Sequence, residues 1–227
     1  MPQSAVLSRE FFTAPALQAA RRLLGCRLVR LDEGACQESG ARRYQGASEV
    51  RGARESRGAR LAGIIIETEA YRGEEDQGCH ARAGRTPRTE VMYGPPGHAY
   101  VYFTYGMHWM LNFVVEAEGY PAAVLIRAIH PEEGLEVIAS RRNHLPPKQW
   151  TNGPAKICQA LRIDGRLNGV DLCAPGAELF VEAPLGGSPI PDERVASGPR
   201  VGLNNVPEPW RSIPWRFQAR LEGMVIE

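Results

Sequence analysis

Along the chain, apolar positions recur with two different spacings. LQAARRLLG (residues 17–25) has the helical spacing, with Thr13 in capping position, Pro15 near the first turn and Gly25 at the usual stop, so a helix is predicted there. CRLVRL (26–31) and LAGIIIETEAY (Leu61–Tyr71) read as strands, as do Ala99–Thr104, Met107–Val115 and Ala122–Ala128. Tyr105-Gly106 falls at the tip between two of these, and Glu116–Pro121 makes a turn. Helices are predicted over Glu132–Arg142 and Ala155–Ile163, and further strands over Glu178–Glu182 and Trp215–Leu221. Strands joined by short turns, with helices grouped between them, predict an α+β fold: one domain over residues 1–227 around a mainly antiparallel sheet. Residues 34–60 have no period. They consist mainly of Gly, Ala, Ser, Arg and Glu, with six arginines against three glutamates, a composition too polar to bury a face, and read as a low-complexity mobile insertion.

Side chains alternate across a strand, which predicts Ile65, Glu67, Glu69 and Tyr71 on one face and Ile64, Ile66, Thr68 and Ala70 on the other. Two carboxylates side by side among apolar neighbours repel unless paired, protonated or hydrated. Either both glutamates are salt-bridged to arginines such as Arg127, or one is a general base on a rigid strand. Five of the seven tyrosines (Tyr71, Tyr93, Tyr100, Tyr102, Tyr105) fall within 35 residues, with His80 and His98 among them. Such aromatics are either core or the walls of a stacking slot. A base drawn out of a duplex needs two aromatic walls, a hydrogen-bonding filter and a side chain to fill the gap it leaves.

Charge changes the picture locally rather than in total. The 27 basic and 26 acidic residues leave a net charge of +1, and 43% hydrophobic content excludes a disordered chain. Residues 137–163 contain no acid but carry Arg141, Arg142, Lys148, Lys156 and Arg162, while Arg82, Arg85 and Arg88 make a second cluster and residues 194–220 hold five arginines against one glutamate. These runs are either solvated faces or a rim that tracks phosphates. Within the first, Gly153-Pro154-Ala155-Lys156 opens a helix whose free N–H groups and lysine suit a phosphate. Five scattered cysteines without a CxxC pair support neither a disulfide framework nor a zinc ribbon; Cys79 beside His80 is too few ligands, so neither metal nor cofactor is expected. Lacking an apolar run long enough for a leader or a membrane span, the chain reads as soluble, intracellular and without membrane contact.

The run IIIETEAYRGEEDQGCHARAGRTPRTEVMYGPPGHAYVYFTYGMHWMLNFVV (64–115), continued by VLIRAIHPEEGLE, NGPAKICQAL and RVGL, resembles the alkyladenine (3-methyladenine) DNA glycosylases of base excision repair from Phe11 to about Leu221. Residues 34–60 depart from that family, whose members have a short turn there. The resemblance implies a curved sheet with a protruding β-hairpin and flanking helices, like the C-terminal domain of formyltransferases. It implies that Glu69 is the catalytic glutamate activating water, aided by Arg127, and that Tyr71, His80 and Tyr102 wall the flipped base. By the same resemblance Asn112 is the filter against the guanine 2-amino group, Tyr105 enters the minor groove, and Gly153 and Lys156 open the helix that contacts phosphate; Arg141 and Arg142 are assigned to phosphate from the charge run alone.

The implied partner is double-stranded DNA bearing 3-methyladenine, 7-methylguanine, hypoxanthine or ethenoadenine, bound by a monomer, with excision leaving an abasic site. Only Lys148 and Lys156 offer side-chain amines for a Schiff base, and Pro2 is followed by Gln3 rather than an acid, which points to hydrolysis without strand cleavage. Two alternatives stand beside this: a damage-binding module without activity, against which Glu69 argues, and a glycosidase for free nucleosides, which would leave the hairpin tyrosine and phosphate helix without purpose.

Overall fold

The structure is a computed structural model that describes residues 5–34, 58–184 and 186–221. Two short helices, α1 (Arg9–Phe12) and α2 (Ala16–Leu23), open the chain where one was predicted. Thr13 ends α1 instead of capping α2; Pro15 takes that position, and the Ala16 N–H is met by Glu116 Oε1 at 2.8 Å, a cap supplied from 100 residues away.

The strands are β1 (Arg27–Asp32), β2 (Ala59–Arg72), β3 (Ala99–Thr104), β4 (His108–Val114), β5 (Ala122–Glu133), β6 (Leu179–Glu182), β7 (Val195–Gly198) and β8 (Arg216–Ala219). They form one sheet in the order β3-β4-β5-β2-β1-β6, with β8 on β2 and β7 on β8, every pair antiparallel. This bears out the α+β expectation. Helices α3 (Leu135–Arg141) and α4 (Pro154–Leu161) follow β5.

Three predicted boundaries move. The helix expected from Glu132 begins after Gly134, because β5 runs on through His130 and Pro131, which pair with Ile64 and Gly63. Only glycine fits at 63, where a Cβ would lie 2.6 Å from the His130 carbonyl oxygen. Ala59 and Arg60 lie in β2 opposite Asp32 and Leu31, so the insertion does not extend over them; residues 35–57 of it lie outside the described part of the chain. The strand β7, four residues without an alternating apolar pattern, was not foreseen.

β2 organises the rest. One edge pairs with β5; the other pairs with β1 over Ala59–Ile64 and with β8 over Glu67–Glu69, so the sheet forks beside the two glutamates. The register shifts between Ile65 and Glu67, a bulge at the fork. It reverses the parity of the strand and corrects one expectation: Ile65 does not share the glutamates' face but is buried in the same core cluster as Ala70. That cluster also holds Val101, Leu111, Phe113, Val124 and Ile126 from β3, β4 and β5, packed on α2 and α4 residues such as Leu23 and Leu161. Each such side chain contributes roughly 1.5–3 kcal/mol by leaving water. The alternating partners of these residues (Tyr100 and Tyr102, Asn112 and Val114, Ala123 and Leu125) therefore point to the opposite face, where a smaller cluster of Cys79, Ala81, Met92 and Tyr93 covers them.

Candidate active site

On this second face the pairing register sets out a row: Glu69 on β2 lies opposite Leu125 on β5, Leu125 opposite Asn112 on β4, and Asn112 opposite Tyr100 on β3. Glu69 is fully buried. Its Oε1 accepts the backbone N–H of Val201 at 2.7 Å and lies 3.4 Å from Arg127 Nε, while Oε2 accepts the Tyr71 hydroxyl at 2.8 Å. Burial pushes the carboxyl above its ordinary range; Arg127, the Val201 N–H and the Tyr71 hydroxyl pull it back without cancelling the shift. The result is a carboxylate held by two hydrogen bonds and one ion pair in a nearly dry setting that raises its proton affinity.

Of the two readings of the paired glutamates, the structure bears on the first: both meet Arg127. Arg127 Nε bonds Glu67 Oε1 at 3.1 Å as well as approaching Glu69, and Arg216 Nη1 adds a second cation to Glu67 at 3.3 Å. One guanidinium thus spaces two like charges, and Glu67, tied to two arginines, is the structural member.

The rings gather on the same face of the sheet. His80, at the start of a one-turn 3₁₀ helix (His80–Ala83), packs edge-on to Tyr102 with centroids 4.5 Å apart, and its Nδ1 lies 2.9 Å from the Tyr100 hydroxyl. Burial, then Arg88 and Arg82, lower the His80 pKa to about 4, so the imidazole is neutral at physiological pH. Arg88 lies 5.3 Å over the Tyr102 ring and 3.4 Å from His80 Nε2. Asn112 is buried and donates to the Tyr100 carbonyl at 3.1 Å. Tyr71, His80, Tyr102, Asn112, Glu69 and Arg127 are therefore brought to one face of one sheet. A cleft of about 260 Å³ beside Tyr102, lined also by Phe103, Trp109 and Gly165, lies apart from Glu69, which has no exposed surface.

Tyr105 sits at the tip of the β3–β4 hairpin, 83% exposed, with Met107 beside it also exposed. Gly153 precedes α4, and Lys156 in its first turn bonds Asn152 Oδ1 at 2.7 Å. Arg141 and Arg142 contradict the expectation of a phosphate rim. Arg141 Nη2 is ion-paired with Asp32 Oδ2 at 2.6 Å, both side chains nearly inaccessible, and Arg142 is buried and bonded to the Gln159 side chain. An acid-free run in sequence says nothing of acids brought from β1, 109 residues away.

Sequence reasoning assigned no role to Arg200, Asp76 or Val201. RVGL was visible as a motif, but its meaning rests on contacts more than 120 residues apart that no local spacing reveals. Among the described residues no three His, Cys, Asp or Glu side chains cluster to hold a metal ion, and no helix is long and apolar enough to cross a membrane.

The site thus combines a buried, partnered carboxylate with tyrosine and histidine rings on one sheet face, and the same sheet carries an exposed apolar hairpin tip. The chain belongs to the methylpurine-DNA glycosylase family, whose model matches residues 49–222. It is 43% identical to a protein of Methanocella arvoryzae over 93% of this chain and 91% of that one. It is 41% identical to proteins of Myxococcus xanthus (94% and 90% covered) and Streptomyces avermitilis (95% and 88% covered). All three are provisionally named 3-methyladenine DNA glycosylase. The resemblance read from the motifs is borne out, and the enzyme class is that of hydrolases acting on N-glycosyl bonds.

Proposed function

We propose that the protein draws alkylated or deaminated purines (3-methyladenine, 7-methylguanine, hypoxanthine, ethenoadenine) out of duplex DNA and hydrolyses their N-glycosidic bond, leaving an abasic site without cutting the strand. The observation that carries this reading is the buried Glu69 carboxylate, held by two hydrogen bonds and an ion pair on the sheet face that also carries Tyr71 and Tyr102. Glu69 takes a proton from the water that attacks C1′ and its charge stabilises the oxocarbenium-like sugar, with Arg127 keeping the carboxylate in place. The three rings stack on the base, Asn112 crowds a guanine 2-amino group, and Tyr105 fills the space the base leaves. Gly153 and Lys156 meet the DNA backbone at the start of α4; Arg141 and Arg142, engaged inside the fold, drop out of that role. Neutral His80 is a wall and not an acid, so a base that leaves as a cation-turned-neutral is favoured over one that must first be protonated. The enzyme acts as a monomer, inside the cell, on DNA.

The test is excision from a duplex oligonucleotide carrying one hypoxanthine or one 7-methylguanine, wild type beside Glu69→Gln, with and without alkali. Abasic sites from wild type that break only in alkali are expected. Breaks without alkali would refute hydrolysis alone, and lesion binding without excision by wild type would turn the reading into a damage-binding module.

A further inference from the structure

Two stretches distant in sequence meet beside Tyr71: the end of β2 with the loop 73–79 that leads from it to His80, and the tail at 200–215. What joins them is Arg200 with Asp76, both without any exposed side-chain surface. Arg200 Nη1 and Nη2 grip the two carboxylate oxygens of Asp76 at 2.5 and 2.7 Å, Nη1 also donates to the Ala70 carbonyl at 3.1 Å, and Nη2 reaches the Trp210 carbonyl at 3.4 Å. Asp76 Oδ1 further accepts the Gly78 N–H at 2.8 Å. The guanidinium lies 4.6 Å from the centre of the Tyr71 ring and 5.1 Å from that of Trp215, so it is stacked as well as bonded. The next residue, Val201, supplies the N–H that Glu69 accepts.

A buried ion pair is weak evidence for stability, since its desolvation offsets most of its attraction; its use lies in fixing one arrangement. This one is bidentate and planar, a geometry lysine does not reproduce. It borders the peptide between Arg200 and Val201 and the ring of Tyr71 at the same time, and those carry the two hydrogen bonds that Glu69 accepts. We infer that the Arg200–Asp76 pair is a positioning device for excision, holding the Val201 N–H and the Tyr71 ring against Glu69 while touching neither base nor sugar itself. The inference rests on Glu69 being the base proposed above.

The groups around Glu69 define what the device adds. Arg127 faces it from β5, Glu67 and Tyr71 from β2, Tyr102 from β3 and Arg200 from the tail, with Arg216 on β8 acting through Glu67. The Val201 N–H is the one backbone donor among them, and it favours the carboxylate over the acid. Loss of it raises the proton affinity of Glu69 further, so the acid limb of the excision rate moves to higher pH.

The experiment is single-turnover excision of 7-methylguanine from a duplex at saturating enzyme across pH 5–9, with duplex affinity measured alongside. That lesion is already cationic and needs no acid, so the acid limb reports the base alone. Val201→Pro removes the N–H at a half-exposed residue, and Val201→Ala, which keeps that N–H, controls for the side chain. Arg200→Lys keeps the charge and loses the fork. Val201→Pro and Arg200→Lys are each expected to slow excision about tenfold to a hundredfold and to move the acid limb up by about one pH unit, with duplex affinity changed less than about threefold. If Arg200→Lys does not fold, Asp76→Asn replaces it as the test of the pair; Val201→Pro reads the donor alone, and a wild-type limb in it overturns the inference whether or not the buried variants fold. Wild-type rate and limb in these variants would overturn the inference, as would a loss of affinity equal to the loss of rate. A shifted limb in Val201→Pro with none in a folded Arg200→Lys would leave the donor and discard the pair. Failure of wild type itself to excise would instead sink the proposed function.

Discussion

The inner face of the sheet and the tip of the β3–β4 hairpin sit at the two ends of one element pair, and they are built on opposite terms. Inside, Glu69 has no exposed surface and accepts two hydrogen bonds, Asn112 has its backbone partner, and the two glutamates share Arg127. At the tip, Phe103, Tyr105 and Met107 are 44%, 83% and 66% exposed. Tyr105 (φ 52°) and Gly106 (φ 66°), two of the three residues between the paired Thr104 and His108, are both left-handed, and a non-glycine residue there costs about 1–2 kcal/mol. The chain accepts that cost to hold an apolar ring in water. The inner face is complete without a partner and the tip is not. Substitutions inside should therefore change chemistry or stability and leave binding alone, and those outside should do the reverse.

Glu69→Gln is the severest test. Loss of a general base costs about 10²–10⁴-fold in rate, and we expect that loss in single-turnover excision with duplex affinity unchanged. The folded-state pKa of Glu69 is raised, so ionising it opposes folding, an effect absent below the unfolded pKa and present in full once pH exceeds the folded one. At pH 7 the neutral variant should therefore melt no lower than wild type. A lower Tm together with weakened binding would make Glu69 a structural residue and dissolve the contrast.

Arg141→Ala comes next. It strands Asp32, buried on β1, and breaking such a pair costs about 3–5 kcal/mol. Denaturant unfolding should show that loss, while the salt dependence of DNA binding stays as in wild type. A reduced salt slope with normal stability would return Arg141 to the phosphate rim.

What made the inner face legible was period-2 alternation: Glu67, Glu69 and Tyr71 could be placed on one side of β2 from sequence, and the Tyr105-Gly106 tip from a glycine beside an aromatic. The parity of Ile65 was lost because a bulge leaves no residue signature when it forms at a fork created by β8, more than 140 residues downstream. Arg141 failed for a related reason, as charge runs record neighbours in sequence and not in space. Glu116 capping α2, Asp32 on Arg141 and Arg200 on Asp76 are all long-range choices of partner, made by the finished fold.

Tyr105→Ala probes the outer end directly. Surface residues away from the core move stability by less than about 0.5 kcal/mol, whereas a stacked aromatic is worth about 1–3 kcal/mol to nucleic-acid binding. The variant should melt like wild type and bind a lesion duplex about 5- to 150-fold more weakly, with a smaller loss on a single-stranded substrate that needs no gap filled. Unchanged duplex affinity would mean the tip is not completed by DNA.

Lys156→Ala should have the smallest effect and is the sharpest control on Arg141. Its ammonium is tethered to Asn152 at 2.7 Å in the first turn of α4, close to the free N–H groups that Pro154 and Gly153 leave open. It is partly exposed, so no buried charge is left behind when it goes. One phosphate contact contributes about one unit to the slope of log affinity against log salt. We therefore expect the slope to fall by about one, binding to weaken equally on damaged and undamaged duplex, and the excision rate at saturation to hold. A drop confined to lesion DNA would place Lys156 with the slot. An unchanged slope would leave the helix start without a phosphate, and the outer surface of this enzyme would then rest on the hairpin alone.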